Sequence, residues 1–286
     1  MINRKTTFML IAIPAFLLFF TFHTYPALQG IFYSFTDWKG YGNWNFVGFS
    51  NFINVFKDTR VLSAYGFTFQ FAIVATIIVN IISLLIAMGL NSKIKFLKTL
   101  RAIYFLPYIL SVLIVGFIFN YIFTHLVPSF GQSLQINVLS KNILGDQNLA
   151  WLGIVIVAVW QGVALNTILY LAGLVTIPEE VYEAAVIDGA GPWKKFWKIT
   201  FPLISSFFTI NMVLAMKNFL MAYDQIVAMT GGGPGTATES VSLLIYRGGF
   251  EGGQFAYQSA NAVIFFVVIV AISLFQLRVL ERREVE

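Results

Sequence analysis

A polar stretch between two long apolar runs has the most unusual residue spacing in this chain. It covers residues 178–201 and opens with Pro178, which suits the first turn of a helix. Val181, Ala184 and Ala185 then share one helical face, because they lie three and four residues apart. This face is small and apolar, so that the backbone of another chain can approach it closely. These residues are typical of a docking element and not of a catalytic site.

Charge and glycine mark the end of this helix. Glu183 and Asp188 flank the small-residue face, and Gly189 and Gly191 follow it, while Pro192 can begin a second helix. That second helix is amphipathic and can lie at a membrane surface, because aromatic and basic residues fall on opposite sides. A loop that merely returns the chain is the alternative, although such a connection needs only a few residues. The aromatic side is Trp193, Phe196 and Trp197, and the basic side is Lys194, Lys195 and Lys198.

Motifs for enzymatic chemistry are missing from the sequence. It has no cysteine, which excludes disulfides, thiolate metal sites and cysteine nucleophiles. It contains no His-Glu-x-x-His, no Gly-x-Ser-x-Gly and no phosphate-binding Gly-x-x-x-x-Gly-Lys-Ser/Thr loop. His23 and His125 have no second ligand in sequence range. We therefore predict no catalytic residue, no metal site and no cofactor in this chain.

The composition indicates which kind of element positions these residues. Hydrophobic residues make up 58% of the 286 and charged residues only 11%, whereas soluble domains average about 25% charged residues. A soluble fold could not bury so much apolar surface. Intrinsic disorder is also excluded, because disordered chains are poor in aromatic residues. The sequence therefore predicts an all-α membrane protein with a single transmembrane domain, residues 1–286. Its six spans are expected at about 8–35, 67–90, 102–123, 150–177, 202–222 and 259–280.

The basic residues predict the orientation of these spans. Twelve of the eighteen fall on one side of a six-span chain, which we assign to the cytoplasm together with both termini and the loop at 178–201. The segments outside the cytoplasm are then 36–66, 124–149 and 223–258. The basic charge thus indicates orientation and not a nucleic-acid partner, because binding to nucleic acid would leave the spans unexplained. The twelve are Arg4, Lys5, Lys93, Lys95, Lys98, Arg101, Lys194, Lys195, Lys198, Arg278, Arg282 and Arg283; Lys39, Lys57, Arg60, Lys141 and Arg247 lie opposite, and Lys217 lies within a span.

At this point the chain resembles a known family. The series Glu183-Ala184-Ala185, Gly189, Ile199 and Phe201-Pro202 resembles the EAA loop of permease subunits in binding-protein-dependent ABC importers, with Phe201 where that family usually has Leu. Further stretches resemble the carbohydrate branch, typified by the larger membrane subunit of the maltose transporter. These are Tyr104–Pro107, Trp160–Gly162, Ile177–Glu183, Asp188–Pro192, Tyr223-Asp224 and Thr230–Pro234.

The resemblance implies a type I ABC importer permease in a bacterial or archaeal plasma membrane. In such an importer, a second related permease and two ATPase subunits assemble with the chain. ATP and Mg are bound by the ATPases, and an extracytoplasmic protein delivers the solute. The EAA helix transmits ATPase closure to the spans. The residues assigned to this coupling loop are Val181, Glu183, Ala184, Ala185, Asp188, Gly189, Ala190 and Gly191.

The resemblance also implies a sugar or oligosaccharide path lined by spans four and five. Amides suit sugar hydroxyls, and aromatic faces suit the C–H side of a sugar ring. The alternative for the amides is that they only form hydrogen bonds between helices. Lys217 either contacts an acidic sugar, or it pairs with Asp224 or extends its ammonium group outward to the membrane surface. The residues assigned to the path are Gln161, Gly162, Leu165, Ala215, Asn218 and Phe219, which occupy or adjoin matching positions of the family, and Asn211, which lies at helical spacing from Ala215 and Asn218.

Other function classes fit the sequence less well. A non-sugar solute such as glycerol phosphate or a polyol remains open within the importer class. A secondary transporter should carry acidic residues inside its spans or a detectable repeat, and we find neither. A receptor or purely structural membrane protein would not need the EAA spacing.

Overall fold

The protein is almost wholly helical in the computed structural model, which describes residues 4–92 and 97–281. Within these ranges no strand occurs, and the extended pairing is a single isolated antiparallel bridge between Thr36 and Phe46. The basic residues Lys93, Lys95, Arg282 and Arg283, which support the predicted orientation, lie outside the described residues.

Fifteen α-helices follow one another along the described residues. They are α1 Arg4–Phe19, α2 Tyr25–Tyr33, α3 Ser50–Val55, α4 Thr59–Asn91, α5 Leu97–Ile109, α6 Val112–Tyr121, α7 Val127–Ser133, α8 Ala150–Val175, α9 Glu179–Ile187, α10 Pro192–Lys195, α11 Phe201–Leu203, α12 Ser205–Leu220, α13 Asp224–Met229, α14 Val241–Tyr246 and α15 Phe255–Glu281. π-helical turns occur at Phe20–Thr24, Ile122–Leu126, Phe196–Thr200 and Arg247–Glu251, and a 3₁₀ turn at Ile143–Gly145.

Several of these helices are long and apolar enough to cross a bilayer. In the described ranges there are five, or six when one bent pair counts as a single span. The bent pair is Pro192–Leu203 with Ser205–Leu220, whose axes meet at 71°. The all-α membrane fold is therefore confirmed. The five continuous helices are Ala12–Tyr33, Thr59–Asn91, Val112–Ser133, Ala150–Val175 and Phe255–Leu280.

The third span differs from the stretch expected at 102–123. Helix α5 contains Pro107 and ends at Ile109, and Ser111 is extended, with φ −58° and ψ 133°. The spanning helix therefore begins at Val112 and continues to Ser133. A proline lacks the backbone donor that would continue the hydrogen-bond ladder. An apolar run can contain such a break, because hydropathy reports burial in lipid and not backbone geometry.

The contacts divide the chain into two compact units. One contains the residues up to Leu62 together with Leu244–Val267, and the other contains Ser63–Leu243 and the residues from Val268 onward. In the first unit, the Asn51 side chain donates to the carbonyls of Ser34 and Thr36 at 2.9 and 2.7 Å. These bonds hold the turn after α2 against α3 by satisfying carbonyls that a helix end leaves open.

The second unit has a core that combines apolar packing with a buried polar pair. Ala87, Tyr170, Leu174 and Ile204 form one buried cluster. The hydroxyl of Tyr170 donates to Oδ1 of Asn80 at 2.6 Å, which joins α8 to α4. Such bonds between membrane helices contribute about 0.6–2 kcal/mol each. The pair therefore fixes the register of two spans without leaving a buried polar atom unsatisfied.

A glycine permits the closest helix contact in this unit. A Cβ atom built on Gly116 of α6 would lie 2.5 Å from Cβ of Ala228 in α13. The amide of Asn120, one turn further along α6, donates to the carbonyl of Met229 at 2.6 Å. Small residues let membrane helices approach until such polar bonds form. Gly116 thus brings α13 against the third span.

We predict that Gly116→Ala destabilises the protein. The added methyl overlaps Ala228, and overpacking of this kind costs about 1–3 kcal/mol. Thermal unfolding in detergent should therefore show a lower melting temperature. Gly89→Ala is the matched control, because a Cβ at that helical position meets no atom within 4 Å. Equal melting temperatures for the two variants would contradict the close α6–α13 contact.

Candidate functional site

A cavity of about 310 Å³ opens among α6, α8, α12 and α13 in the second unit. This volume lies at the lower end of the range for small-molecule pockets. All the residues predicted for the solute path except Asn211 line it. The lining residues are Tyr108, Leu110, Val112, Ala158, Gln161, Gly162, Leu165, Asn166, Ala215, Asn218, Phe219, Met221, Ala222, Tyr223, Asp224 and Gln225.

Amide hydrogen bonds join three helices at the wall of this cavity. Nε2 of Gln161 is 3.4 Å from the carbonyl oxygen of Pro107, and Nε2 of Gln225 donates to Oε1 of Gln161 at 3.2 Å. The Pro107 carbonyl lies in the last turn of α5, where helix carbonyls lack an intrahelical partner. The helix break thus supplies an acceptor, and Gln161 uses it to position its side chain.

Asn211 lies behind this wall and not on it. Its side chain is 0% exposed, and its Nδ2 is 3.4 Å from the carbonyl oxygen of Asn166. Asn166 does reach the cavity, where its Nδ2 donates to the carbonyl of Gly162 at 2.8 Å. Helical spacing placed Asn211 in line with Asn218, but the packing of α12 on α8 covers it. Asn211 therefore joins two helices in this conformation.

Aromatic and small residues shape the remaining wall. The ring of Phe219 meets that of Phe71 edge to face, with 5.9 Å between centroids. A Cβ on Gly162 would lie 3.2 Å from Cγ2 of Val79 and 3.4 Å from Cζ of Phe219. Gly162 thus lets α4 and the Phe219 ring pack tightly on α8. Larger residues at this position would displace Phe219 from the cavity wall.

Several lining residues were not predicted from the sequence. Asn166 lies four residues after Gly162, so helical periodicity could have identified it. Asp224 belongs to a stretch noted above for its family resemblance. It is the one acidic residue of the described cavity lining, and this lining contains no basic residue. Tyr108 and Leu110 reach the cavity where α5 ends, and Pro107 is the sequence signal that could have indicated this end. Lys217 is exposed on α12 and does not line the cavity.

The helix predicted for the coupling loop ends in a Schellman motif. Gly189 has φ +71°, the Ala190 amide donates to the Ala185 carbonyl at 2.8 Å, and the Gly189 amide donates to the Val186 carbonyl at 3.0 Å. A Cβ at Gly189 would meet no atom within 4 Å. The glycine is therefore needed for its left-handed backbone and not for space.

The outer surface of α9 differs from the predicted small-residue face. Ala185 is only 7% exposed, since it packs inside the chain, whereas Val181 and Ala184 are exposed. Val186 and Ile187, which were not predicted, are 58% and 86% exposed. Periodicity identified neighbours on the helix but not the side covered by the rest of the chain. The exposed apolar surface therefore centres on Val181, Ala184, Val186 and Ile187.

A row of aromatic rings runs from this loop to α12. Ring centroids are 5.7 Å apart for Trp193 and Trp197, 5.4 Å for Trp197 and Phe201, and 5.3 Å for Phe201 and Phe208. The hydroxyls of Tyr182 and Thr200 are hydrogen-bonded at 3.0 Å, which joins α9 to the same row. The loop is thus packed continuously onto the helix that carries Asn218 and Phe219.

Comparison with known proteins identifies the class. Residues 80–285 match the family model described as the binding-protein-dependent transport system inner membrane component. The chain belongs to this family, and the predicted resemblance is confirmed. It is therefore a transport subunit of the inner membrane and not an enzyme.

Individual relatives are similar over nearly their whole length. The multiple sugar-binding transport system permease protein MsmF of Streptococcus mutans is 38% identical over 280 residues, 98% of this chain and 96% of the relative. The probable starch degradation products transport system permease protein AmyD of Thermoanaerobacterium thermosulfurigenes is 35% identical over 261 residues, 91% and 89% of the two chains. The sn-glycerol-3-phosphate transport system permease protein UgpA of Brucella abortus is 32% identical over 286 residues, 98% and 96%.

The fold is also similar to that of solved ABC importers. The structure of a bacterial ABC transporter involved in the import of alginate matches 97% of this chain and 96% of its own, with a TM-score of 0.82 and 22% identity. A structure of a bacterial alginate ABC transporter with its pentasaccharide-bound periplasmic protein matches 98% and 96%, with a TM-score of 0.84 and 22% identity. The chain thus has the ABC importer permease fold.

The cavity geometry predicts different accessibility for two asparagines of α12. Because the chain has no cysteine, single Asn218→Cys and Asn211→Cys variants can be compared directly. The thiol at position 218 should react rapidly with a small, water-soluble thiosulfonate in purified protein, since Asn218 is exposed on the cavity wall. The thiol at position 211 should react at least about tenfold more slowly, because its opening requires local separation of packed helices. Equal labelling rates would contradict the burial of Asn211.

Proposed function

We propose that this chain forms one half of the translocation path of an ATP-driven importer for a sugar or oligosaccharide. The cavity between α8 and α12 carries this proposal. Its wall offers the amides of Gln161, Asn166 and Asn218 beside the ring of Phe219. Amides can donate to and accept from hydroxyl groups, and an aromatic ring can cover the apolar face of a sugar.

The absence of basic groups from the described lining favours a neutral sugar over glycerol phosphate. Phosphate recognition uses Arg, Lys or an open helix N-terminus. Here Asp224 occupies the first turn of α13, where a carboxylate already complements the positive end of the dipole. Its charge would repel a phosphate. The names of MsmF and AmyD support the same choice.

A second permease is needed to complete the path. This cavity is small and its Asn218 is exposed, so the chain supplies a wall and not an enclosure. We propose a second related permease opposite it, two ATPase subunits that bind ATP and Mg, and an extracytoplasmic protein that delivers the solute. The alginate transporter that binds a periplasmic protein supports this arrangement.

We further propose that both chain termini and the loop around α9 lie in the cytoplasm. The asymmetry of the basic residues supports this orientation. Segments 37–58 and 253–257, assigned to the opposite side, line a common pocket. This proximity is expected of segments on one side of a membrane.

The loop around α9 is proposed to couple the ATPases to the path. Its exposed face can seat in a groove of an ATPase subunit, with Glu183 paired to a basic residue there. Displacement of the loop would reach α12 through the aromatic row from Trp193 to Phe208. The same helix ends at the solute cavity, so that one rigid element joins the two sites.

Reconstitution of the complete transporter tests the proposed function. Proteoliposomes that contain this chain, the second permease and the ATPases should accumulate maltotriose, or another sugar carried by the cognate delivery protein, only with ATP. Asn218→Ala and Gln161→Ala should each lower uptake by about fivefold, since one hydrogen bond contributes about 1 kcal/mol. Sugar binding to the delivery protein should stay unchanged.

Asn148→Ala serves as the control, because Asn148 is exposed outside the cavity. Concentrative uptake by this subunit alone, without nucleotide or partner chains, would contradict the proposal. Unchanged uptake in both cavity variants would remove the cavity from the path.

The coupling role predicts a separate phenotype for the loop. Gly189→Val forces a β-branched residue into φ +71°, and Glu183→Lys reverses an exposed charge. Both variants should insert into the membrane but lose sugar-stimulated ATP hydrolysis in the assembled transporter. Gly66→Ala is the control, because Gly66 lies in α4 outside the loop and a Cβ there meets no atom within 4 Å. Normal stimulated hydrolysis in both loop variants would exclude the coupling role.

A further inference from the structure

A polar pocket of about 530 Å³ lies in the first unit and shares no lining residue with the solute cavity. Residues from two segments line it, 37–58 and 253–257. The orientation proposed above places both segments outside the cytoplasm, on the side from which solute arrives. The pocket has aromatic walls in Trp38 and Tyr257, and it carries two lysines and two aspartates.

The two carboxylates of this pocket are already occupied by hydrogen bonds within the chain. Asp37 accepts from the backbone amide of Asn45 at 2.6 Å and from its side chain at 3.1 Å. These hydrogen bonds hold the pKa of Asp37 below its usual value, so its carboxylate is ionised and satisfied. Asp58 caps α4 by accepting from the Arg60 amide at 2.9 Å, and its other oxygen accepts from the Tyr257 hydroxyl at 2.9 Å.

The donors of the pocket are not used in this way. Lys39 and Lys57 are exposed, and within the described part of the chain neither ammonium group donates a hydrogen bond. The side-chain amides of Asn54 and Gln254 line the same pocket and can also donate. Both carboxylates are thus satisfied by hydrogen bonds, whereas Lys39 interacts with Asp37 only through its charge, so that the hydrogen-bonding capacity of both ammonium groups is open. The chemistry best matched to such a set is a carboxylate, which accepts several hydrogen bonds at once.

We propose that this pocket receives an acidic side chain of the solute-delivery protein, whose carboxylate is held by Lys39 and Lys57. The inference rests on the proposed function, which supplies both the delivery protein and the side of the membrane. The pocket is an open depression with exposed lysines, a shape that suits an inserted side chain from a docked protein better than an enclosed solute. Exposed lysines such as Lys39 and Lys57 also accelerate the encounter with an acidic surface of the delivery protein, and salt weakens this acceleration.

The test uses the complete transporter in lipid nanodiscs and the solute-loaded delivery protein. ATP hydrolysis is measured against delivery-protein concentration for the wild type, Lys39→Glu, Lys57→Glu and the double variant. The double variant should need at least about tenfold more delivery protein for half-maximal stimulation, because charge reversal replaces attraction with repulsion. Raising the salt concentration should weaken stimulation of the wild type and bring the double variant closer to it, because salt screens attraction and repulsion alike. Lys141→Glu, an exposed lysine outside the pocket, should behave as the wild type.

A carbodiimide provides a second measurement that does not depend on substitution. This reagent joins an amine directly to a carboxylate in contact with it, with loss of water and no added spacer. Mass spectrometry of the stimulated complex should find Lys39 or Lys57 linked to an Asp or Glu of the delivery protein. A normal concentration dependence in the double variant, or links from these lysines only to carboxylates of this chain, would overturn the proposal. Loss of all stimulation in the wild type would instead contradict the proposed function itself.

Discussion

Every backbone polar group inside a bilayer needs a partner from the protein, because lipid offers none. Continuous helices satisfy this requirement, and they make up most of this chain. Breaks in helices at membrane depth are tolerated only where protein or a polar cavity meets the freed groups. Two breaks border the solute cavity here: α5 ends before Ser111, and α12 ends before Tyr223. The Pro107 carbonyl near the first break faces Gln161.

Polar contacts between the helices follow the same constraint. Tyr170 and Asn80 satisfy one another in the core, while Asn120 reaches the carbonyl of Met229 across the Gly116 contact. Apolar surface alone provides little attraction between helices in lipid, because lipid tails are equally apolar. Small residues and shared hydrogen bonds therefore determine which helices meet. The cavity lies where these contacts leave space beside α8.

The bent pair around Ile204 links the two functional regions. Ile204 is fully buried, and the axes of the helices on either side meet at 71°. The aromatic row follows this bend from Trp197 to Phe208 and makes the loop and α12 a continuous packed element. Densely packed interiors deform little and move as units. This packing is the basis of the proposed coupling between α9 and Phe219, at the far end of α12.

The sequence by itself determined that the chain resides in a lipid bilayer, that it is helical, and which family it resembles. Composition and spans of about 20 apolar residues require a bilayer, and the spacing from Glu183 to Pro202 carries the family resemblance. Family resemblance and helical spacing identified six of the sixteen residues that line the cavity, all on α8 and α12. Tyr108, at the end of α5, and Asp224 and Gln225, at the start of α13, were not identified, because their approach to the cavity depends on where those helices end and begin.

Only the tertiary structure decided which predicted residues are exposed. It buried Asn211 against α8, turned Ala185 inward, and left Val186 and Ile187 on the surface of α9. It also brought segments 37–58 and 253–257 together, far apart in sequence, to form the outer pocket. A helical pattern specifies which side chains share a face. Which face is covered depends on the packing of other helices, and no local pattern contains that information.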